Sequence, residues 1–453
     1  MIRSCAVGLL ALVACGEAGV AQSTPPETPL GGGGVNAGAG GTATGAMAMG
    51  GGSSGAAAAT AGSATAAGAG GTATTGGAGS SNAGAAGAAS SAFVHPGILV
   101  NQAMLDFVKA KIAAGAEPWK SALAAAQASK FGKLTYTPTP RAVVDCGSSS
   151  IPDNGCSDEK NDVLGAYTHA LIWAYTGNEA NAKKAIEIMN AWSAVLTDHT
   201  NSNAPLQSAW AAEVFPRAAE IIRYTYPSWP ADEVARFGKL LHDVYLPKVV
   251  NGSASNGNWE TSMIEATLNI GVFNDDRAAF EQGLKMWRER TPAYIYISKD
   301  GAAPVPPPRG NKTGAALTKY WYDQSMLIDG LGQETCRDMS HIQYGLAGII
   351  NSAETAHLQG IDLYGEQAER LQAGLEFHAQ YLNGAAVPAT LCGGTLTDNN
   401  PNPMWEIALN HFVTRQAATL PETQKLALKI RPTGTDHHVG WETLTHASVG
   451  DGR

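Results

Sequence analysis

The stretch NDVLGAYTHALIWAYTG (161–177) runs directly into NEANAKKAIEIMNAWSAVL (178–196). Both carry apolar residues at three-and-four spacing. The first stops at Gly177, and Asn178 is placed to cap the second. Two helices with almost nothing between them fold back as an antiparallel hairpin. The unit recurs. ILVNQAMLDFVKAKIAAG and EPWKSALAAAQASKF form an early pair. LQSAWAAEVFPRAAEIIRYTY, ADEVARFGKLLHDVYLPKVV, NWETSMIEATLNIGVF and DDRAAFEQGLKMWRERT follow, and further helices are expected near 337–358, 363–382, 403–416 and 422–430. Strand patterns are few, YIYIS (294–298) being the clearest, and no fixed repeat period marks a solenoid. The expected fold is all-α: an α/α toroid, an incomplete barrel of helical hairpins. Its cleft would be lined by loops and by the starts of the inner helices.

The helical part begins abruptly. Residues 1–15, MIRSCAVGLLALVAC, have one charge at Arg3, a short apolar run, then small residues. That is an export signal, too short to span a bilayer. It ends in Leu12-Val13-Ala14-Cys15, a lipobox-like close that makes Cys15 the expected lipidation site; an ordinary signal peptide is the alternative. Residues 16–91 are almost wholly Gly, Ala, Ser and Thr, which cannot bury enough surface to offset their ordering entropy. They read as a disordered tether, leaving 92–453 as one working domain. The expected location is that of an exported bacterial lipoprotein, on the outer membrane or cell surface, or in the periplasm. Its only membrane partner would be reached through the lipid anchor.

A formal net charge of -9 argues against nucleic acid and requires any anionic ligand to find a local basic cleft. Cys146 and Cys156 flank the loop CGSSSIPDNGC and are the natural local disulfide. Cys336 and Cys392 then form the second pair. Zinc would need closer spacing.

The chemistry gathers in GQETCRDMSHIQYGLAGII. A helix entered near Arg337 puts Arg337, His341 and Tyr344 at i, i+4 and i+7, on one face. A phenol (pKa about 10) beside two cations is expected to be lowered and usable as a base. A polar network with Glu334 or Asp338 pairing Arg337 is the structural alternative. In SASNGNWETSM, Asn256 and Asn258 either cap a helix or hydrogen-bond a carboxylate, while Trp259 offers a face to a sugar. Gln207 and Trp210 are further candidate sugar contacts, and Arg217 between Glu213 and Glu220 reads as a structural ion pair. The loop KDGAAPVPPPRGNKTG places Arg309 on a rim. TDHHVGWETLTHA clusters His437 and His438 without a metal-binding spacing. No nucleophile elbow or phosphate-binding loop is present.

Together HPGILVNQAMLDFVKAKIAAGAEPW, AYTHALIWAYTGNEANAKKAIEIMNAW, NGNWETSMIEATLNIGVFNDD and QETCRDMSHIQYG resemble the alginate-lyase domain superfamily, which includes polysaccharide lyase families 5 and 38. The resemblance spans nearly all of 95–450. It implies an α/α toroid that cleaves uronate polysaccharides by β-elimination without a metal or organic cofactor. In the family 5 pattern an Arg precedes the catalytic Tyr by seven residues, as Arg337 precedes Tyr344. That pattern also has an Asn-His pair where this chain reads SNGNW, and His341 is the residue here that can take the missing role. The departure leaves alginate and glucuronan equally open as the anionic polysaccharide. By the residue types, Asn258 or Asn256 with Arg337 and His341 would neutralise the uronate carboxylate, and Tyr344 would take the C5 proton. A glycoside hydrolase on a similar toroid and a non-catalytic carbohydrate-binding lipoprotein are the competing readings.

Overall fold

The computed structural model describes residues 92–324 and 326–450. The export signal, Cys15 and the 16–91 tether lie outside the described residues. Four helices are buried almost all round: Cys156–Thr176, Ala204–Thr225, Gly257–Phe273 and Met339–Leu358. In Gly257–Phe273, 16 of 17 residues are buried, and in Met339–Leu358, 18 of 20, so these helices are internal. They pack side by side in chain order. Helices with one exposed face return outside them: Glu179–Val195, Ala231–Leu240, Arg277–Arg290 and Ala368–Leu382. Each inner helix therefore starts at the same end of the barrel, which is the α/α toroid arrangement.

Glycines allow the inner walls to touch. A Cβ on Gly348 would lie 2.9 Å from the Thr261 backbone of the neighbouring inner helix. A Cβ on Gly271 would lie 2.7 Å from Phe280 N on the outer helix.

Local chemistry adjusts several expected elements. The first helix is Gln102–Ala113, because Asn101 caps it by accepting the Met104 N–H. After Ala231–Leu240 the chain widens to a π turn at Leu241–Tyr245. Pro247 has no N–H to continue the regular ladder there. YIYIS is not a strand: Ile295 makes one isolated bridge to Gly332, and the flanking Tyr294 and Tyr296 share backbone hydrogen bonds with Gly330, Leu331 and Gln333 that extend no further. Strands Val143–Cys146, Asp153–Asn154 and Asp198–Thr200 form a small sheet with the first in the centre. A second pair, Thr435–Asp436 with Val439–Gly440, makes a tight hairpin. Both expected disulfides are present, Cys146–Cys156 beside the small sheet and Cys336–Cys392 just before the Met339–Leu358 helix.

Candidate active site

Every inner helix contributes a polar or aromatic side chain from its first two turns: Lys160, Trp210, Asn258, and His341 with Tyr344. Helix starts carry unpaired N–H groups and the positive pole of the macrodipole, so this end of the barrel favours anions despite the net charge. The 435–440 hairpin brings Asp436 and His437 to the same place.

Tyr344 is 8% exposed. Its Oη donates to Asp436 Oδ2 at 2.6 Å and lies 2.9 Å from His437 Nδ1, which is itself 2.8 Å from Asp436 Oδ1. A proton on His437 Nδ1 satisfies all three groups. Burial, then the charge and hydrogen bond of Asp436, push the phenol well above its ordinary value. This corrects the expectation of a lowered phenol. The Arg337 guanidinium and the His341 ring are engaged by carboxylates of their own, and the immediate neighbour of Tyr344 is an anion. Burial pushes Asp436 up, but the hydrogen bond and charge of His437, aided by Tyr344, outweigh it and hold the carboxyl down at about 2.

His438 turns the other way. It is buried, sits against Glu213, and stacks on Trp210 at 6.3 Å and 10°. Burial lowers it to about 4. Arg217 donates to the His438 carbonyl at 3.0 Å and pairs with Glu265, so a core ion pair clamps the hairpin that carries Asp436 and His437.

Beside Tyr344 lies a second hub. Glu334 is fully buried and accepts four donors: the Asn258 N–H at 2.9 Å, the Asn258 amide at 2.6 Å, Tyr294 Oη at 3.0 Å and Arg337 Nη1 at 2.9 Å. Asp338 caps the Met339–Leu358 helix by accepting the His341 N–H at 2.7 Å, and its other oxygen takes His341 Nδ1 at 2.6 Å. Arg337 thus precedes the cap, so the expected i, i+4, i+7 face holds only for His341 and Tyr344, whose rings are 6.5 Å apart. Asn256 donates to Tyr322 Oη at 2.8 Å. Tyr322 holds φ 55, a left-handed conformation uncommon for a bulky residue and found where surroundings enforce it.

The structure separates the remaining candidates. Trp210 is half-buried and meets the His437 ring edge-on at 5.5 Å, which places it in the cluster. Trp259 is half-buried against the core. Gln207 is fully buried; its amide donates to Glu159 at 2.7 Å and to the Cys156 carbonyl at 3.1 Å. It is a core residue and not a sugar contact. Arg309 does not act as a loose rim cation: it pairs with Glu260, which also takes Arg290, and so latches its loop. His437 and His438 face different partners, and no metal-binding cluster forms among the described residues. Sequence reasoning missed Asp436 altogether; it did offer Glu334 as a partner of Arg337, a pair the structure shows at 2.9 Å, but not its contacts with Asn258 and Tyr294. Asp436 lies 92 residues from Tyr344, and no spacing rule joins them.

A cavity of about 750 Å³ lies among Arg223, Trp229, Phe273 and Asp275, where inner helices end. It contains none of the groups above, and the paired donors and acceptors of the N-terminal end are the better basis for chemistry.

The alginate lyase family model matches residues 156–387, just over half of the chain. Among solved structures, a substituted alginate lyase A1-III complexed with a tetrasaccharide is similar at TM-score 0.50 and 17% identity, over 76% of this chain and 93% of that one. An apo form of the same lyase gives 0.52 and 16%, over 76% and 93%. An alginate lyase from Bacteroides ovatus gives 0.51 and 12%, over 78% and 100%. No curated protein matches the chain in sequence.

Proposed function

The chain belongs to the alginate lyase family and is a polysaccharide lyase; from that premise we propose that it cleaves a uronic-acid-containing polymer, alginate or glucuronan, by β-elimination at Tyr344. The observation that carries this reading is the Tyr344 hydroxyl held between Asp436 and His437, with the His341 ring 6.5 Å from its own.

Elimination needs a carboxylate neutralised so that C5–H becomes acidic, a group to take that proton, and a proton for the departing O4. Arg337 and His341 meet the substrate carboxylate. Arg337 has five N–H donors, enough to hold Glu334 and a uronate together. Asn258 fixes Glu334 and is a positioning residue in this reading. The C5 proton passes to Tyr344 Oη while the phenolic proton moves along the 2.6 Å hydrogen bond to Asp436. The C4–O4 bond breaks, the C4–C5 double bond forms, and Tyr344 gives a proton to O4 as Asp436 returns its own. The net movement is one proton from C5 to O4, on the same face.

The test is a panel of alginate, glucuronan and glycosaminoglycans followed by the ultraviolet absorbance of unsaturated uronate. Tyr344→Phe should keep the fold and lose roughly 10³-fold or more in turnover. Full turnover by that variant would sink the assignment. Saturated reducing ends without absorbance would support hydrolysis instead. The same reading places the enzyme on a bacterial envelope through a lipid on Cys15, supported by the lipobox-like Leu12–Cys15 segment. Mass analysis of the mature N-terminus, with Cys15→Ser as control, tests it.

A further inference from the structure

We infer that Thr168, on the wall of the Cys156–Thr176 helix, is a positioning residue for the elimination: through Trp441 it holds the 435–440 hairpin in the turn that presents Asp436 and His437 to Tyr344. The inference rests on the reading of Tyr344 and Asp436 as the proton-transfer pair.

The barrel converges on this hairpin. Trp441 Nε1 donates to Thr168 Oγ1 on Cys156–Thr176 at 2.8 Å. Arg217 on Ala204–Thr225 donates to the His438 carbonyl at 3.0 Å and pairs with Glu265 on Gly257–Phe273. Glu265 also accepts the Asn351 amide of Met339–Leu358 at 3.1 Å, and that helix reaches Asp436 through Tyr344. All four inner helices therefore bear on one short hairpin, and Thr168 supplies the share of the first. It is fully buried and about 18 Å along its helix from Cys156, so it acts only through Trp441.

The hairpin has to be held. His437, at the first central position of a two-residue turn, has φ 46, where such turns ordinarily use glycine, and Trp441 has φ 60. A left-handed backbone is uncommon for a bulky residue and persists where the surroundings over-determine it. Trp441 is 2% exposed, and its indole N–H has Thr168 as its partner. Thr168 gives its own proton to the Leu164 carbonyl at 2.7 Å, which leaves its oxygen to accept. Displacement at Trp441 is passed on to the site. Gly440 pairs with Thr435, a Cβ on it would lie 2.5 Å from Thr435 Cγ2, and Thr435 adjoins Asp436. The two strands are in contact and move together.

Thr168→Val keeps the shape and removes the acceptor, while Thr168→Ser keeps the hydroxyl. Initial rates of unsaturated product from alginate or glucuronan should show kcat about tenfold lower for the valine variant, the scale of one buried hydrogen bond left unmade. KM should stay within about twofold, and the serine variant should behave like the parent. Leu284→Ala, on the outer Arg277–Arg290 helix, is the control for lost stability: its melting temperature should fall with kcat unchanged. The ring-nitrogen NMR signals of His437 in protein with isotope-labelled histidine, assigned with His437→Gln, should shift in the valine variant and return in the serine one. A valine variant with native kcat, a loss that serine does not recover, or an equal loss of kcat in Leu284→Ala overturns the inference. If Thr168→Val does not fold, Trp441→Phe removes the same hydrogen bond from its other end and must show the same split of kcat from KM. Should the parent form no unsaturated product, the reaction reading fails, and the NMR comparison decides the hairpin by itself: an unmoved His437 signal refutes its placement by Thr168.

Discussion

Asp436→Asn separates the proposed proton relay from simple support of Tyr344. Asp436 touches the phenol with one oxygen and His437 with the other, at 2.6 and 2.8 Å. An asparagine keeps the size and can still accept the phenolic hydrogen bond, but it cannot receive the proton. Its amide would also point a donor at a ring nitrogen that already donates. One charge-assisted hydrogen bond is lost, worth roughly 1.5–3 kcal/mol when buried. The Asp436 side chain is 41% exposed, so solvent screening reduces the stability cost to about 1 kcal/mol. The melting temperature should then fall by only about 2 °C in a domain of this size. Turnover should fall far more, by roughly 10²–10⁴, as for loss of a general acid–base group. KM should not rise, because Asp436 is an anion and gives no attraction to a polyanionic substrate. The assay is the initial rate of unsaturated product across substrate concentration, paired with a thermal melt. A kcat within about threefold of the native value, with the stability change as stated, would refute the relay, since ~0.6 kcal/mol is too little for a proton-transfer partner.

Buried Glu442 is raised to about 8 by desolvation, against the N–H groups of Glu406 and Ile407 that it accepts at 3.0 and 3.2 Å. Its folded pKa exceeds the unfolded one, so the native state alone holds the proton between about pH 4.5 and 8, and stability falls as pH rises through that window. Glu442→Gln keeps an acceptor and removes the titration; its stability relative to native should improve by on the order of a few kcal/mol from pH 5 to pH 8, read by denaturant melts at each pH. A pH-independent difference would show that Glu442 does not titrate there. Gly348→Ala should cost about 1–3 kcal/mol through overpacking against Thr261, measured as a shift in denaturant midpoint; a neutral result would mean that the inner walls are looser than the 2.9 Å approach implies.

Helical periodicity carried most of the fold because inner and outer helices both have apolar faces that repeat at 3.6 residues. Even the almost wholly buried Gly257–Phe273 is bounded by turn residues that mark its ends. The limits came from contacts that periodicity does not encode. YIYIS alternates like a strand but is buried on both sides by helices and finds one bridge. Gln207 looks like a polar ligand at a helix start, yet it belongs to a buried Glu159 network with His199 and Tyr245. Arg337, His341 and Tyr344 were legible as a local group because they share a short stretch. Asp436 was not, since only folding brings the hairpin to Tyr344, and TDHHVGW drew notice for its histidines.

The negative net charge is at odds with a polyanionic substrate only if charge is averaged over the surface. At this end of the barrel the carboxylates are already answered: Glu334 by four donors, Asp338 by the His341 ring and N–H, Asp436 by Tyr344 and His437. Each acid is occupied in orienting a neighbouring donor. The inner-helix starts add their N-terminal dipoles, and Lys160 adds a charge that Asp153 and Asp436 oppose only through space. A ligand feels this local field at a distance of a few ångströms, while the acids elsewhere on the surface are screened beyond about a Debye length. The prediction that follows is a rate that rises as salt is lowered, despite the overall sign of the protein. A kcat/KM on a uronate polymer that instead increased with salt would mean that the net charge governs encounter and that the local field argued here does not.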